Sequence, residues 1–186
     1  MGYYRAGFDV IGVDIDPMPD YPFEFIQADA MTLPVDVRQF QAIHASPPCQ
    51  FFSAMQHIRK NPGEHPDLVA ATRKMLDATG LPYVIENVKG APLASSFILC
   101  GSSFGLNIIR HRLFETKPSL FALIPPCDHS SVYDPWHGKR DARQFRAAMG
   151  IDWMRDAGGG RRKGTLAQAI PPAYTEYIGK QLIQAL

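Results

Sequence analysis

The chain has 186 residues, of which 46% are hydrophobic and 20% are charged, and its formal net charge is +1. This length and composition predict one globular domain, residues 1–186, that buries a full core. No window holds 18 consecutive apolar residues and the N-terminus lacks a secretory pattern, so we expect neither a membrane span nor export. Three cysteines are too few for a disulfide framework and favour a reducing cytoplasm.

The charges are distributed unevenly along the chain. Residues 1–36 hold seven acidic side chains and one basic one, whereas residues 137–163 hold eight basic and three acidic side chains. The acidic segment suits a cationic small ligand, and the basic segment suits phosphate groups. Two solvated faces would produce the same pattern, and the sequence leaves both interpretations open.

Short apolar runs recur along the chain, and each ends at a polar group. The runs are VIGV before Asp14, FEFIQA before Asp29, AIHA before the segment SPPCQ, and YVI before Glu86. Between the last two, HPDLVAATRKMLDATG has helical spacing of its apolar residues, with Pro66 in the first turn and Gly80 at the end. Strands that alternate with a helix predict an α/β fold with a mostly parallel sheet and flanking helices. Ligands of such sheets bind beyond the carboxyl ends of the strands, where these polar groups fall.

The segment from residue 117 to 164 is irregular and basic, apart from a short helix predicted in RDARQFRAAMG. Its glycine-rich part, DAGGGRRKG, lacks the Lys-Ser or Lys-Thr that a P-loop requires and instead predicts a mobile basic loop. The final segment, PPAYTEYIGKQLIQAL, predicts a helix that begins at Pro172. Its apolar face consists of Tyr174, Tyr177, Ile178 and Leu182.

Two successive prolines precede Cys49. Proline neither continues a sheet ladder nor sits inside a helix, so the chain must turn there and hold the thiol rigidly. This arrangement favours a presented nucleophile over a core cysteine. Combined with the carboxyl group of Glu86, the thiolate suits attack on an electron-poor ring, because the acid can hydrogen-bond or protonate a ring nitrogen. Cytosine is such a ring, and addition at C6 makes its C5 nucleophilic.

Five segments, in order, resemble the motifs of the cytosine-C5 DNA methyltransferases. SPPCQFFS is similar to their Pro-Cys-Gln signature, VIENV to their Glu-Asn-Val signature and IIRHRLFE to their Arg-x-Arg element. RAGFDVIGVDIDP resembles the second half of their opening cofactor motif, and LAQAIPPAYTEYIG resembles their C-terminal cofactor-side motif. The resemblance covers residues 1–116 and 165–186 and is greatest to the compact phage-encoded members. It implies a Rossmann-like, S-adenosylmethionine-dependent methyltransferase fold.

The resemblance implies a catalytic role for five residues. Cys49 would be the nucleophile, and Glu86 would hold N3 and the exocyclic amine of the cytosine. Asn87 would brace the loop that carries the cysteine, while Arg110 and Arg112 would assist the base pocket and a phosphate. The implied reaction is base flipping, attack by the thiolate at C6, methylation of C5, loss of the C5 proton and elimination of the thiolate.

The resemblance also implies the binding residues. Asp14 would accept from the ribose hydroxyls of S-adenosylmethionine and Asp29, with Ala30 beside it, from the adenine amine. Pro48 would pack near the reactive end of this cofactor, and Gln168, where the family usually has Asn, near its methionine side. The residues expected to bind DNA are Gln50, Ser53, Arg140, Arg143, Arg161, Arg162 and Lys163. The expected partner is double-stranded DNA with a flipped cytosine, bound by a monomer in the cytoplasm of a bacterial or phage-infected cell.

Three departures from the family leave other functions open. The family's first strand and glycine turn are missing before Met1, which predicts about 15 further residues upstream. Ile108 replaces a common Gln, and residues 117–164 are a reduced, irregular basic insertion in place of a full target-recognition domain. The alternatives are a catalytically weak DNA-binding remnant and an enzyme that modifies C5 of a free pyrimidine nucleotide. A restriction enzyme as companion is neither required nor excluded.

No metal is expected from the sequence. Cys127 and His129 form a Cys-x-His pair, and Cys100 lies far from them along the chain. This spacing is unlike that of known zinc motifs.

Overall fold

The computed structural model describes residues 1–32, 34–49, 52, 67–130, 142–154 and 165–186. The chain forms two compact units. The first unit consists of Met1–Pro34, Cys100–Arg110 and Ile124–Ala185. The second consists of Val35–Leu99 and His111–Leu123, together with Leu186.

The first unit begins with helix α1 (Gly2–Ala6), followed by strands β1 (Ile11–Asp14) and β2 (Glu24–Gln27). The two strands are parallel, and Asp14 pairs with Gln27 at their carboxyl ends. Helices α3 (Ala142–Met149), α4 (Thr165–Gln168) and α5 (Pro172–Ala185) complete the unit. The short helix predicted in RDARQFRAAMG and the final helix predicted from Pro172 are both confirmed.

Close packing joins α1 to α5 at two glycines. A Cβ atom on Gly2 would collide with Thr175 Oγ1 and the Pro172 carbonyl oxygen, and one on Gly179 would lie 2.7 Å from the Cβ atom of Ala6. The absence of a side chain therefore allows the two helices to touch. A separate core cluster contains Ile108, the residue that departs from the family pattern, packed with Met149 and Leu166.

The second unit holds a four-stranded sheet. Its strands are β3 (Ile43–Ala45), β4 (Tyr83–Asn87), β5 (Phe97–Leu99) and β6 (Arg112–Lys117), in the order β3-β4-β6-β5. Helix α2 (Val69–Thr79) lies between β3 and β4 in sequence, as the spacing of apolar residues predicted. A core cluster between this helix and the sheet consists of Leu76, Tyr83 and Ile85. Four partly buried residues pack against it: Ile43, Ala45, Met75 and Leu93.

The carboxyl end of α2 matches the predicted signal at Gly80, whereas Pro66, which was predicted in the first turn, lies outside the described residues. Asp67 Oδ1 accepts a hydrogen bond from the backbone N–H of Val69 at 2.9 Å, and Gly80 ends the helix with φ of 69°. Glycine adopts this left-handed backbone conformation readily because it has no side chain. On the helix surface, Arg73 Nε donates to Glu115 Oε1 of β6 at 2.7 Å, so an ion pair fastens the helix to the sheet.

The predicted α/β class, with its Rossmann-like parallel strand–helix–strand unit β3–α2–β4, is confirmed. The strand directions are more mixed than the sequence predicted. Strand β6 is antiparallel to both β4 and β5, so the described residues contain two parallel and two antiparallel strand pairs. In the described part of the chain, no helix has the length and apolar character needed to cross a bilayer.

Candidate active site

The cysteine of interest lies in the second unit, just beyond the carboxyl end of β3. Pro47 is buried, Pro48 is exposed and Cys49 is half-buried, so the thiol stands at the boundary between core and solvent. The Cys49 carbonyl accepts a hydrogen bond from the backbone N–H of Phe52 at 3.1 Å. The thiol is free and makes no disulfide.

Strand β4 supplies the side chain that holds this loop. Asn87 is the last residue of β4 and is 1% exposed. Its Nδ2 donates to the Pro47 carbonyl at 3.0 Å, while its Oδ1 accepts from the backbone N–H of Val88 at 2.9 Å. The amide thus fixes the backbone two residues before Cys49. Because a buried carbonyl needs a donor, this hydrogen bond restricts the path of the loop.

Glu86 precedes Asn87 and is paired with Arg112. Its Oε1 lies 2.9 Å from Arg112 Nε, and the two side chains are only 8% and 14% exposed. The antiparallel pairing of β4 with β6 brings these strands side by side. Arg112 Nη1 also donates to the His111 carbonyl at 2.9 Å, which orients the guanidinium. A carboxylate so nearly buried needs such a partner, because an isolated buried charge is costly.

The parallel pairing of β3 with β4 places these groups at one edge of the sheet. Ala45 pairs with Ile85, so the Cys49 loop and the Glu86–Asn87 pair both extend from the same ends of neighbouring strands. The sequence predicted this edge as the ligand-binding region. The structure places Cys49, Glu86, Asn87 and Arg112 in the second unit, where Asn87 is hydrogen-bonded to the segment before Cys49 and Glu86 is paired with Arg112. A thiol, a carboxylate and a guanidinium at one edge can supply nucleophilic addition and proton transfer to a ring.

Two further side chains of this region were not anticipated. His44, within β3, forms a hydrogen bond of 3.1 Å through Nε2 with Ser46 Oγ. Burial of the imidazole lowers the pKa of His44 to about 4, so the ring is neutral at physiological pH. The sequence signal was the histidine inside the apolar run AIHA, immediately before the proline pair.

Arg110 belongs to the first unit and is a structural anchor there. It is 3% exposed, and its Nη2 donates to the carbonyls of Ala167 at 2.8 Å and Ala169 at 2.6 Å. Its own carbonyl accepts a hydrogen bond of 2.6 Å from the Tyr174 hydroxyl of α5. These bonds connect the segment before Arg110 to α4 and α5. Its predicted assistance to a base pocket stays a prediction.

The predicted cofactor residues of the first unit lie at strand and helix ends. Asp14 is the last residue of β1, and its Oδ1 accepts a hydrogen bond from the backbone N–H of Asp16 at 2.9 Å. Asp29 follows β2, and its Oδ1 accepts a hydrogen bond from the backbone N–H of Met31 at 2.9 Å. Ala30 begins a 3₁₀ turn after Asp29, and Gln168 is exposed at the end of α4. Each carboxylate has about four acceptor positions, so both retain capacity for ligand hydroxyls or amines. Acceptors of this kind can bind the hydroxyl and amine groups of a nucleoside.

Of the predicted DNA-binding residues, the structure describes Arg143 alone. It lies on the exposed side of α3. The others, Gln50, Ser53, Arg140, Arg161, Arg162 and Lys163, lie outside the described residues, as does the segment DAGGGRRKG.

Comparisons with known proteins give a distant structural likeness. No protein-family model and no curated protein matches the chain. A protein from an E. coli prophage, described as a DNA modification methyltransferase, is similar in structure with a TM-score of 0.44 and 21% identity over 61% of this chain. A Spodoptera frugiperda DNMT2 variant is similar with a TM-score of 0.42 and 21% identity over 62% of this chain. The chain spans 41% and 46% of the lengths of those two proteins, and likeness of this size defines neither family nor function.

Proposed function

We propose that this chain is a DNA cytosine-C5 methyltransferase with Cys49 as its nucleophile. The observation that carries the proposal is the joint placement of the Cys49 loop, fixed by Asn87, and the Glu86–Arg112 pair at one edge of the sheet. The order of the five family-like motifs supports the same conclusion.

The thiolate of Cys49 attacks C6 of the cytosine. A bond forms between sulfur and C6, and the electron pair of the C5–C6 double bond makes C5 nucleophilic. The base must leave the duplex for this attack, since neither ring face is reachable in a stacked helix. After C5 has gained its methyl group, loss of the C5 proton expels the thiolate and restores the ring.

Glu86 holds the base during this addition. Its carboxyl group accepts a hydrogen bond from the exocyclic amine and shares a proton with N3, so that charge developing on the ring is neutralised. Arg112 fixes the direction of the carboxyl group through the 2.9 Å contact. Asn87 keeps the cysteine loop in place through the Pro47 carbonyl.

S-adenosylmethionine supplies the methyl group when bound. In the first unit, Asp14 would accept from its ribose hydroxyls, while Asp29 and Ala30 would border the adenine and Gln168 the methionine part. The acidic character of residues 1–36 suits this cationic ligand.

The substrate we propose is a polymer rather than a free nucleotide. Eight basic side chains between residues 137 and 163 suit the successive phosphates of a nucleic acid backbone. A free nucleotide carries its phosphates at one position only and would leave most of these side chains without a phosphate partner. Arg143 would be one of the phosphate contacts.

The test is a methylation assay with labelled S-adenosylmethionine. Duplex DNA, single-stranded RNA and dCMP are incubated separately with the protein and with its Cys49→Ser variant, and the products are digested and analysed for 5-methylcytosine. We expect the modified base in duplex DNA with the unaltered protein only. Product from dCMP alone would assign the protein to free nucleotides, and binding of DNA without product would make it a DNA-binding remnant.

A further inference from the structure

Three side chains that can bind a metal ion converge in the first unit. Cys100 precedes the 3₁₀ turn Gly101–Phe104 and is 2% exposed. Cys127 and His129 are exposed residues of the coil that follows Pro125 and Pro126. The site lies outside the proposed methylation chemistry and does not depend on it.

The distances between these groups are compatible with a tetrahedral metal site. The sulfur and ring nitrogen atoms of Cys100, Cys127 and His129 all lie within 4.8 Å of one another. Cys100 Sγ is 3.4 Å from His129 Nε2. Zinc–sulfur and zinc–nitrogen bonds of about 2.3 and 2.0 Å at a tetrahedral angle put the ligand atoms roughly 3.5–3.8 Å apart.

The cluster contains one more thiol than a thiol–imidazole hydrogen bond needs. A single thiol–imidazole bond would satisfy Cys100 and His129 without a second thiol beside them. Pro125 and Pro126 restrict the backbone before Cys127, and Asp128 Oδ1 accepts the N–H of Ser130 at 2.9 Å, which shapes the turn that carries both exposed ligands. These features restrict the backbone of the coil that carries Cys127 and His129.

We propose that Cys100, Cys127 and His129 bind one zinc ion with a structural role. Two thiolates and an imidazole form a ligand set that zinc prefers, and a fourth ligand completes the tetrahedron. Binding displaces the protons of both thiols into solvent, since only thiolates coordinate zinc. The ion fastens the coil around Cys127–His129 to the turn Gly101–Phe104 in a region with little regular secondary structure.

The experiment measures zinc in protein purified without an affinity tag. We expect about one zinc ion per chain by elemental analysis. The Cys127→Ser and His129→Ala variants should each bind zinc at least about tenfold more weakly in a competition with a chromogenic chelator. Cys49→Ser is the matched control, because it removes a thiol that lies outside this cluster, and it should retain the zinc content of the unaltered protein.

Replacement by cobalt gives a second readout. Cobalt(II) bound as proposed shows thiolate-to-metal charge transfer and the intense d–d bands of a tetrahedral site, and the charge-transfer band should weaken in Cys127→Ser.

Three results would overturn the proposal. The first is reduced, zinc-loaded protein that retains less than about a tenth of an ion per chain. The second is zinc affinity that is equal in Cys127→Ser, His129→Ala and Cys49→Ser. The third is a disulfide between Cys100 and Cys127 that forms without hindrance in the presence of zinc. Circular dichroism checks that each variant is folded, and the two exposed positions avoid a change at the buried Cys100.

Discussion

Glu86 Oε1 and Arg112 Nε lie 2.9 Å apart, and both side chains are largely withdrawn from solvent. The contact joins neighbouring antiparallel strands at the edge that also carries the Cys49 loop. A charge at this depth depends on its partner, so loss of one partner should lower the stability of the fold as well as impair the proposed catalysis. The two contributions can be separated by experiment.

Glu86→Gln should reduce both turnover and stability. Loss of a positioned acid–base group lowers the rate by roughly 10²-fold or more. The amide also leaves Arg112 without its charged partner, at a cost of up to about 3–5 kcal/mol in the free energy of unfolding. The double variant Glu86→Gln/Arg112→Met removes the uncompensated charge and should recover much of the stability but none of the activity. Recovery of activity in the double variant would contradict the catalytic role of Glu86.

Cys49 should form a covalent complex with duplex DNA that contains 5-fluorocytosine. Fluorine at C5 replaces the proton whose loss expels the thiolate, so the sulfur–C6 bond persists after methylation. A band of increased mass on a denaturing gel measures the complex. It should be absent in Cys49→Ala and present in Cys127→Ser, which removes a thiol of the first unit. A complex that forms equally in Cys49→Ala would exclude the proposed nucleophile.

Asn87→Ala tests whether the loop needs its brace. The change removes the donor to the Pro47 carbonyl and leaves a buried acceptor without it, a cost of about 1–3 kcal/mol. We expect turnover to fall by about tenfold or more while DNA binding changes little, because the thiol loses its position and the phosphate contacts remain. The rate of Cys49 alkylation by iodoacetamide should change in parallel. Unaltered alkylation and turnover would show that the loop is held by other contacts.

The elements of the fold were predictable where their signals are local. Apolar spacing with Gly80 at the end predicted α2, and Pro172 marked the start of α5. Polar residues after apolar runs likewise predicted that Asp14, Asp29 and Glu86 lie at strand ends. These signals work because a helix end or a strand end is determined by a few neighbouring residues.

The remaining features depend on residues that are distant in sequence. Glu86 meets Arg112 because β6 runs antiparallel to β4. No local sequence pattern predicts the direction of β6. Arg110, two residues away, has a different environment and donates to carbonyls near α4. The cysteine–histidine cluster escaped prediction for the same reason, because Cys100 reaches Cys127 and His129 through the folded chain rather than through motif spacing.

Acid should destabilise the second unit through His44. Burial lowers the pKa of this imidazole from 6.5 to about 4 in the folded state, so the unfolded chain binds the additional proton between these values. The contribution of the neutral ring is therefore present above pH 6.5 and is lost as the pH falls toward 4. Because the residue keeps some solvent contact, we expect about 1–3 kcal/mol rather than the full shift. Urea unfolding at several pH values should show this slope, and His44→Gln should flatten it.

Arg143 and Arg146 lie on the same helix and provide a matched pair for testing contact with DNA. Arg143 is exposed, whereas Arg146 is half-buried and donates through Nη1 to the Met154 carbonyl at 3.2 Å. Each phosphate contact contributes about 0.9 to the slope of log affinity against log salt concentration, because a bound cation releases condensed counterions. Arg143→Ala should reduce this slope by about that amount, while Arg146→Ala should lower the melting temperature and leave the slope unchanged. Fluorescence anisotropy with a labelled duplex over a range of salt concentrations measures both variants. Equal slopes for the unaltered protein and Arg143→Ala would remove α3 from the DNA-binding surface and restrict phosphate contacts to other parts of the basic segment.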